Sequence, residues 1–129
     1  MLYQSSALPV AKAYKQSSNC LFCKISKGEI PSTKVYEDEY VYAFLDIEPQ
    51  APFHAIIIPK EHISSADEIT ADNSFLIGKV FEAVAKISKQ ENLRNGYRVV
   101  NNCGTDGGQT VNHIHFHLLA RRNLAWPPG

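Results

Sequence analysis

The stretch "GTDGGQTVNHIHFHLLA", Gly104–Ala120, sets three histidines at alternate positions behind a glycine-rich run. Side chains of a strand alternate between its two faces, so His113, His115 and His117 share one face while Ile114, Phe116 and Leu118 share the other. In a helix each step of two residues would turn the side chain by about 200°, and the imidazoles would not converge. The stretch therefore predicts a strand with an apolar face for a core and an imidazole face for something else. A merely solvated face accounts for it poorly, since threonine or lysine would serve solubility as well. All five histidines of the chain, moreover, fall either here or in "FHAIIIPKEHI".

A metal is one reading of the imidazole face, because neutral imidazole is a common zinc ligand and alternate strand positions can bring two nitrogens to one ion. The preceding loop points to an anion instead. Gly104, Gly107 and Gly108 let the backbone approach a ligand closely, and successive N–H groups there can form a nest. Asn102, Gln109 and Thr110 add neutral donors. A strand connection also uses glycine simply to turn, but beside three aligned histidines the loop reads as a phosphate site.

Around this stretch the chain predicts one α+β domain. At 129 residues and 44% hydrophobic it can bury one modest core. "CLFCKISKGEIPS" reads as a short helix or turn closed by Gly28 and stopped by Pro31. "KVYEDEYVYAFLDI" reads as a hairpin about the polar "EDE", and "HAIIIP" as a buried strand ended by Pro59. Between "ITADNS" and "NLRNG" lies one long helix. Its Phe75, Leu76, Val80, Phe81, Val84 and Ile87 recur at three- and four-residue spacings, with Asp72 or Ser74 as cap and Gly96 helping to end it. "YRVVNN" and "VNHIHFHLLA" supply two further strands. Five strands and one or two helices in this order predict an antiparallel sheet covered on one face.

Net charge is zero, which gives no broad electrostatic reason to expect nucleic acid or an anionic membrane as partner. The longest apolar run, around "AIIIP", is far short of the roughly 20 residues of a membrane span. Residues 1–19 read as a mobile tail ahead of a domain at 20–129. Three cysteines, Cys20, Cys23 and Cys103, cannot all pair within one chain, and two form a C-x-x-C. That usage suits a reducing, cytoplasmic compartment, with metal, a redox pair or buried thiols as competing readings of the pair.

"QTVNHIHFHLL" resembles the H-φ-H-φ-H-φ-φ motif, φ being apolar, of the histidine triad (HIT) superfamily. The resemblance continues through "LFCKISKGEIPS", "AFLDIEPQAPFHAIIIPKEHI", "GYRVVNNCGTDGGQT" and the closing "WPPG", and so covers nearly all of residues 20–129. "AWPPG" is similar to the Hint branch, purine nucleoside phosphoramidases, rather than to the dinucleoside polyphosphate hydrolases. The uridylyltransferase branch carries glutamine at the last motif position, where this chain has His117. The resemblance implies a HIT-like fold: an antiparallel five-stranded sheet with one long helix and a short N-terminal helix, forming homodimers through the long helix and the strand after it.

It also implies roles. His115 would be the nucleophile on the α-phosphorus of a purine nucleoside phosphoramidate or acyl nucleotide, giving a nucleotidyl-histidine. His113 would orient it through its backbone carbonyl, with His54 in support, and His117 would donate to a phosphate oxygen alongside Asn102, Gly108 and Gln109. Thr110, where the family usually has serine, would relay a proton to the departing amine. Asp46 would take the ribose hydroxyls, Leu21, Phe22, Phe44, Ile47 and Ile56 would enclose the base, and Trp126 would meet the leaving group at a partner's site. Many bacterial-type members bind a structural zinc at positions that are Cys20, Cys23, His62 and His113 here. Members ending in "WPPG" often lack the cysteines. The alternatives are a nucleotide-binding regulatory module with incidental turnover, a dinucleoside polyphosphate hydrolase, and a zinc hydrolase using the triad itself as ligands.

Overall fold

A computed structural model describes residues 14–129. Its elements are α1 (Leu21–Ser26), β1 (Lys34–Glu37), β2 (Val41–Leu45), β3 (Phe53–Pro59), a 3-10 turn (Ala66–Glu68), α2 (Phe75–Gln90), β4 (Tyr97–Val100) and β5 (Phe116–Ala120). The five strands form one antiparallel sheet in the order β1-β2-β3-β5-β4. This is the α+β arrangement expected, with β4 as an edge.

Every residue of β3 is buried, because both faces of the sheet are covered there. On one face Ala43, Ala55, Ile57, Phe116 and Leu118 meet Leu76, Val80, Ala83, Val84 and Ile87 of α2. On the other, Tyr42, Phe44, Ile56 and Ile58 pack against Phe22, Cys23 and Ile25 of α1. The covering of one face alone is thus corrected. The short helix closes the second face, and α1 is too short to hold itself together without that packing.

Two local expectations also change. Asp72 and Ser74 give α2 no side-chain cap: Ser74 holds the N-cap position without such a bond. The polar groups ahead of it are engaged in a preceding turn, where Asn73 Oδ1 accepts from Thr70 N and Thr70 Oγ1 from Asp72 N. At the other end α2 stops at Gln90, and Asn92, at φ 56°, precedes Gly96 in the left-handed region.

Within "VNHIHFHLLA" only Phe116–Ala120 is strand. Upstream, Ile114 N donates to Ile63 O, and Asn101 Nδ2 donates to His115 O at 2.9 Å. These partners draw the backbone of residues 113–115 away from β4, whose last pair with β5 is Val100 with His117. The alternation survives this departure: Ile114 and Phe116 remain in the core.

Of the expected tail, residues 1–13 lie outside the described residues. Residues 14–17 are fastened to the domain. Tyr14 OH donates to Glu39 O, His62 N to Lys15 O, Gln16 Nε2 to Lys60 O and Cys20 N to Ser17 O. Among the described residues no helix is long and apolar enough to cross a membrane.

Candidate active site

The three histidines of the motif do not share one task, and the partner of each ring shows why. A carbonyl can only accept and a backbone N–H can only donate, so each such contact fixes the tautomer of the imidazole that meets it.

His115 is buried, and its Nδ1 lies 2.8 Å from His113 O. Nδ1 must carry the proton, which leaves a lone pair on Nε2. Burial lowers the pKa of His115, so the ring stays neutral. Phe22 of α1 sets its ring edge-on against it, with centroids 5.0 Å apart. The nucleophile expected from the motif therefore has its tautomer, charge state and orientation set by identifiable groups.

His117 sits beside it, with ring centroids 5.2 Å apart, and its Nδ1 is 2.8 Å from His54 Nε2. His54 Nδ1 accepts the N–H of Gln50 at 3.0 Å, so the His54 proton is on Nε2 and points at His117. His117 Nδ1 must then accept, and its own proton lies on Nε2, free to meet a ligand. Burial pushes His117 down to about 4, helped by the neighbouring His115 and His54, and burial also lowers His54. Asp46 Oδ2 lies 3.4 Å from His54 Nε2, while Asp46 Oδ1 accepts the N–H of Glu48. Oδ2 is thus the carboxylate oxygen left for a ligand's hydroxyls.

His113 faces elsewhere. Its Nε2 donates to Pro59 O at 2.9 Å, so Nδ1 carries a lone pair. That nitrogen lies 3.3 Å from Cys20 Sγ, 3.5 Å from Cys23 Sγ and 3.3 Å from His62 Nδ1, and Cys23 Sγ is 3.5 Å from His62 Nδ1. A tetrahedral zinc with ordinary bond lengths would hold nitrogens about 3.4 Å apart and a sulfur and nitrogen about 3.6 Å apart. The four donors fit such an ion. Burial drives His113 to about 4, leaving it neutral and able to ligate, and pushes the Cys23 thiol up to about 11, so its thiolate needs a cation.

Asp46, His54 and His117 also bring donor atoms within 4.8 Å of one another. They do not suit a metal, because Gln50 N–H on His54 Nδ1 leaves His54 Nε2 protonated and without a lone pair. Nor can the triad hold one ion, since His113 turns to the cysteines while His117 turns to His54.

The sheet register explains how the rest assembles. His117 pairs with Ile56, and Ile56 pairs with Phe44, so the three lie side by side on one face. Phe22, Phe44 and Ile56 form a buried floor, with Phe22 and Phe44 centroids 5.6 Å apart, while Leu21 is exposed and Ile47 almost wholly so.

The glycine loop differs from expectation at Gln109. Its Oε1 accepts Gly104 N–H, and its Nε2 donates to Ser64 O at 2.7 Å and Val111 O at 2.9 Å. Gly108 N and Gln109 N bond Thr105 O and Gly104 O. Gln109 and these amides brace the loop from within and are engaged, so they do not present the nest of donors expected. A Cβ on Gly107 would come 2.5 Å from Cys103 O, which is why the turn needs glycine there. Asn102 is half-buried, and Thr110 and Gly108 are exposed beside this braced turn. Trp126 is exposed and packs near the Arg98 guanidinium, which also donates to Leu124 O and Ala125 O, rather than against the histidines of its own chain.

Residues 27–124 match the HIT domain family. The chain belongs to that family. It falls in the Hint branch. A 14 kDa zinc-binding protein of Zea mays is 46% identical over 97% of this chain and 99% of its own length. The adenylylsulfatase HINT1 of Arabidopsis thaliana is 43% identical over 91% of this chain and 81% of its own. The crystal structure of a HIT family hydrolase from Legionella pneumophila superposes with a TM-score of 0.84 at 50% identity, covering 86% of this chain and all of that one.

Sequence reasoning did not reach Gln50 and Asn101. Gln50 acts through its backbone, which no side-chain pattern reveals. Asn101 fixes the His115 carbonyl and is indistinguishable by type from Asn102 beside it.

Proposed function

We propose that this HIT protein is a nucleotide hydrolase that cleaves purine nucleoside phosphoramidates, and related AMP mixed anhydrides, through a nucleotidyl-histidine. The observation that carries the reading is the pair of opposite tautomers: a lone pair on His115 Nε2 beside a proton on His117 Nε2. A nucleophile next to a donor is what attack at a phosphorus requires.

His115 Nε2 attacks the α-phosphorus and the P–N bond breaks, its electron pair leaving with the amine. His117 Nε2–H donates to a nonbridging phosphate oxygen as charge builds there. Thr110, exposed at the loop, supplies the hydroxyl that relays a solvent proton to the departing amine, and Asn102 donates to the phosphate. Water then attacks the phosphorus and gives up a proton to solvent as the P–Nε2 bond breaks, releasing AMP and returning His115 to its neutral form. Asp46 Oδ2 receives the ribose hydroxyls, and the Phe22, Phe44 and Ile56 floor with Leu21 and Ile47 takes the base. Bound zinc would supply a cross-link among Cys20, Cys23, His62 and His113, outside the chemistry.

The name of the Arabidopsis relative extends the leaving group to sulfate, which needs little protonation, and this supports including mixed anhydrides. The test is mass spectrometry of a rapidly quenched reaction with an AMP–amine. An adenylylated peptide containing His115 is expected. His115→Ala should lose turnover by more than a thousandfold, on the order seen when a nucleophile is removed, while still binding AMP. Residual turnover within tenfold of the unaltered protein would remove the nucleophile assignment.

A further inference from the structure

Beyond β5 the chain turns through Arg121 at φ 74°, a left-handed conformation that side chains bearing a Cβ disfavour. Its own side chain secures the turn. Arg121 Nη2 donates to Glu91 O at 2.8 Å and lies 3.6 Å from the Glu91 carboxylate, with the guanidinium 5.2 Å from the Phe53 ring centre. Strain held in place this way needs a reason. The turn carries Arg122 back onto the loop ahead of β3, where its Nε and Nη2 both donate to Gln50 O, at 3.0 and 2.9 Å. Nη1 donates to Asn123 O. The other backbone group of Gln50, its N–H, is the one that meets His54 Nδ1.

We propose that Arg122 is a positioning residue for the hydrolysis, acting through Gln50 and His54 on the proton of His117. The pair His54–His117 shares one hydrogen bond that can run in either direction. With the proton on His54 Nε2, His117 accepts at Nδ1 and shows Nε2–H to the phosphate. With the proton on His54 Nδ1, the bond reverses: His117 donates from Nδ1, and its Nε2 turns a lone pair toward a negative phosphate. The two arrangements contain the same number of protons and bonds, so something outside the pair must choose between them. Gln50 N–H makes the choice, since it cannot face a protonated Nδ1. Asp46 Oδ2 favours the same direction from a longer 3.4 Å. Arg122 holds Gln50 in place by two donors on one oxygen, a geometry a single ammonium cannot reproduce.

The proposal rests on His117 donating to the phosphate, and the experiment separates the two claims. Zinc-loaded full-length protein, Arg122→Ala and Arg122→Lys are compared in steady-state hydrolysis of an AMP–amine and in ¹⁵N NMR of the imidazoles without substrate. In Arg122→Ala, kcat should fall roughly five- to tenfold, about the factor that one hydrogen bond represents, with KM within about twofold. The His54 nitrogens should move from a single Nε2–H tautomer to a mixture. Arg122→Lys, restoring one donor, should recover part of both. An unchanged His54 tautomer in Arg122→Ala overturns the proposal, whether or not kcat falls. Should the unaltered protein hydrolyse no AMP–amine, the phosphoramidase reading fails, and the ¹⁵N spectra still decide the role of Arg122.

Discussion

His113, His115 and His117 are the same residue type at even spacing, and each has a different nitrogen available. Pro59 O takes the Nε2 proton of His113, His113 O takes the Nδ1 proton of His115, and His54 donates to Nδ1 of His117. The proposed roles of ligand, nucleophile and donor each use the nitrogen that those three bonds leave available. The alternation made the histidines legible as a site, and the family resemblance implied a different role for each; the Pro59 carbonyl and the Gln50 N–H that set the tautomers of His113 and His54 were not legible, because backbone groups leave no mark in a side-chain pattern. The same burial that orients the rings fixes their pH response. His54 and His115 are lowered, and His117 falls to about 4, so all three remain neutral as pH drops through 6.5, the value of an unperturbed histidine. The unfolded chain takes up these protons first, so the contribution of these histidines to folding stability should be flat above pH 6.5 and decline as pH falls below it, for His117 until about 4. Accordingly the acid limb of kcat/KM for an AMP–amine should lie below pH 6.5, the midpoint of an unperturbed histidine. A half-maximal rate at about 6.5, with zinc content constant, would show that burial does not tune the site.

At the scale of elements, α1 does more than its six residues would allow alone. Cys20 caps it, its Sγ accepting Cys23 N–H at 3.3 Å, and both sulfurs face His62 after β3 and His113 before β5. Between the two cysteines, Phe22 lies against the rings of both His113 and His115. The element that would hold the metal is therefore also the element that touches the proposed nucleophile, His115. From the residues alone only the cysteine pair was legible as chemistry; the family resemblance implied His62 and His113. A lone C-x-x-C names two ligands and leaves three readings open, and the other pair lies 39 and 90 residues beyond Cys23. Purified protein should contain about one zinc per chain, with the content falling in Cys20→Ser. Thermal unfolding should shift down by several degrees in that variant and in chelated protein, with a smaller loss in kcat. Metal-free protein with an unchanged melting curve would rule out a structural zinc.

For the whole molecule, the unexplained feature is apolar surface. The periodicity of α2 predicts a stripe that includes Phe75 and Phe81, yet both remain exposed while Leu76, Val80 and Val84 are buried. The stripe is wider than one sheet can cover. Beside it an open apolar cavity of about 520 Å³ is lined by Ile69, Ile77, Phe81, Ile114 and Phe116, and exposed Tyr97 begins the edge strand β4. Among the described residues β4 is a sheet edge, and an edge next to exposed aromatics is a surface that proteins normally cover. A second copy, seated on α2 and β4 about a twofold axis, would cover both at once and join the two sheets edge to edge. Sequence alone could show the stripe but not its uncovered part, which depends on where the sheet ends. Arg98, on that same edge strand, holds the carbonyls of Leu124 and Ala125 and packs near Trp126, so pairing at β4 would carry the tail to the seam. Sedimentation should give twice the chain mass at micromolar concentration, and Phe81→Glu should yield a folded monomer. Such a monomer should bind AMP nearly as before, since Asp46 and the aromatic floor belong to one chain, yet discriminate less among amine leaving groups, because Trp126 would no longer stand beside a partner's site. A monomeric unaltered protein would refute the interface; a Phe81→Glu monomer with unchanged amine preference would refute the reach of the tail alone.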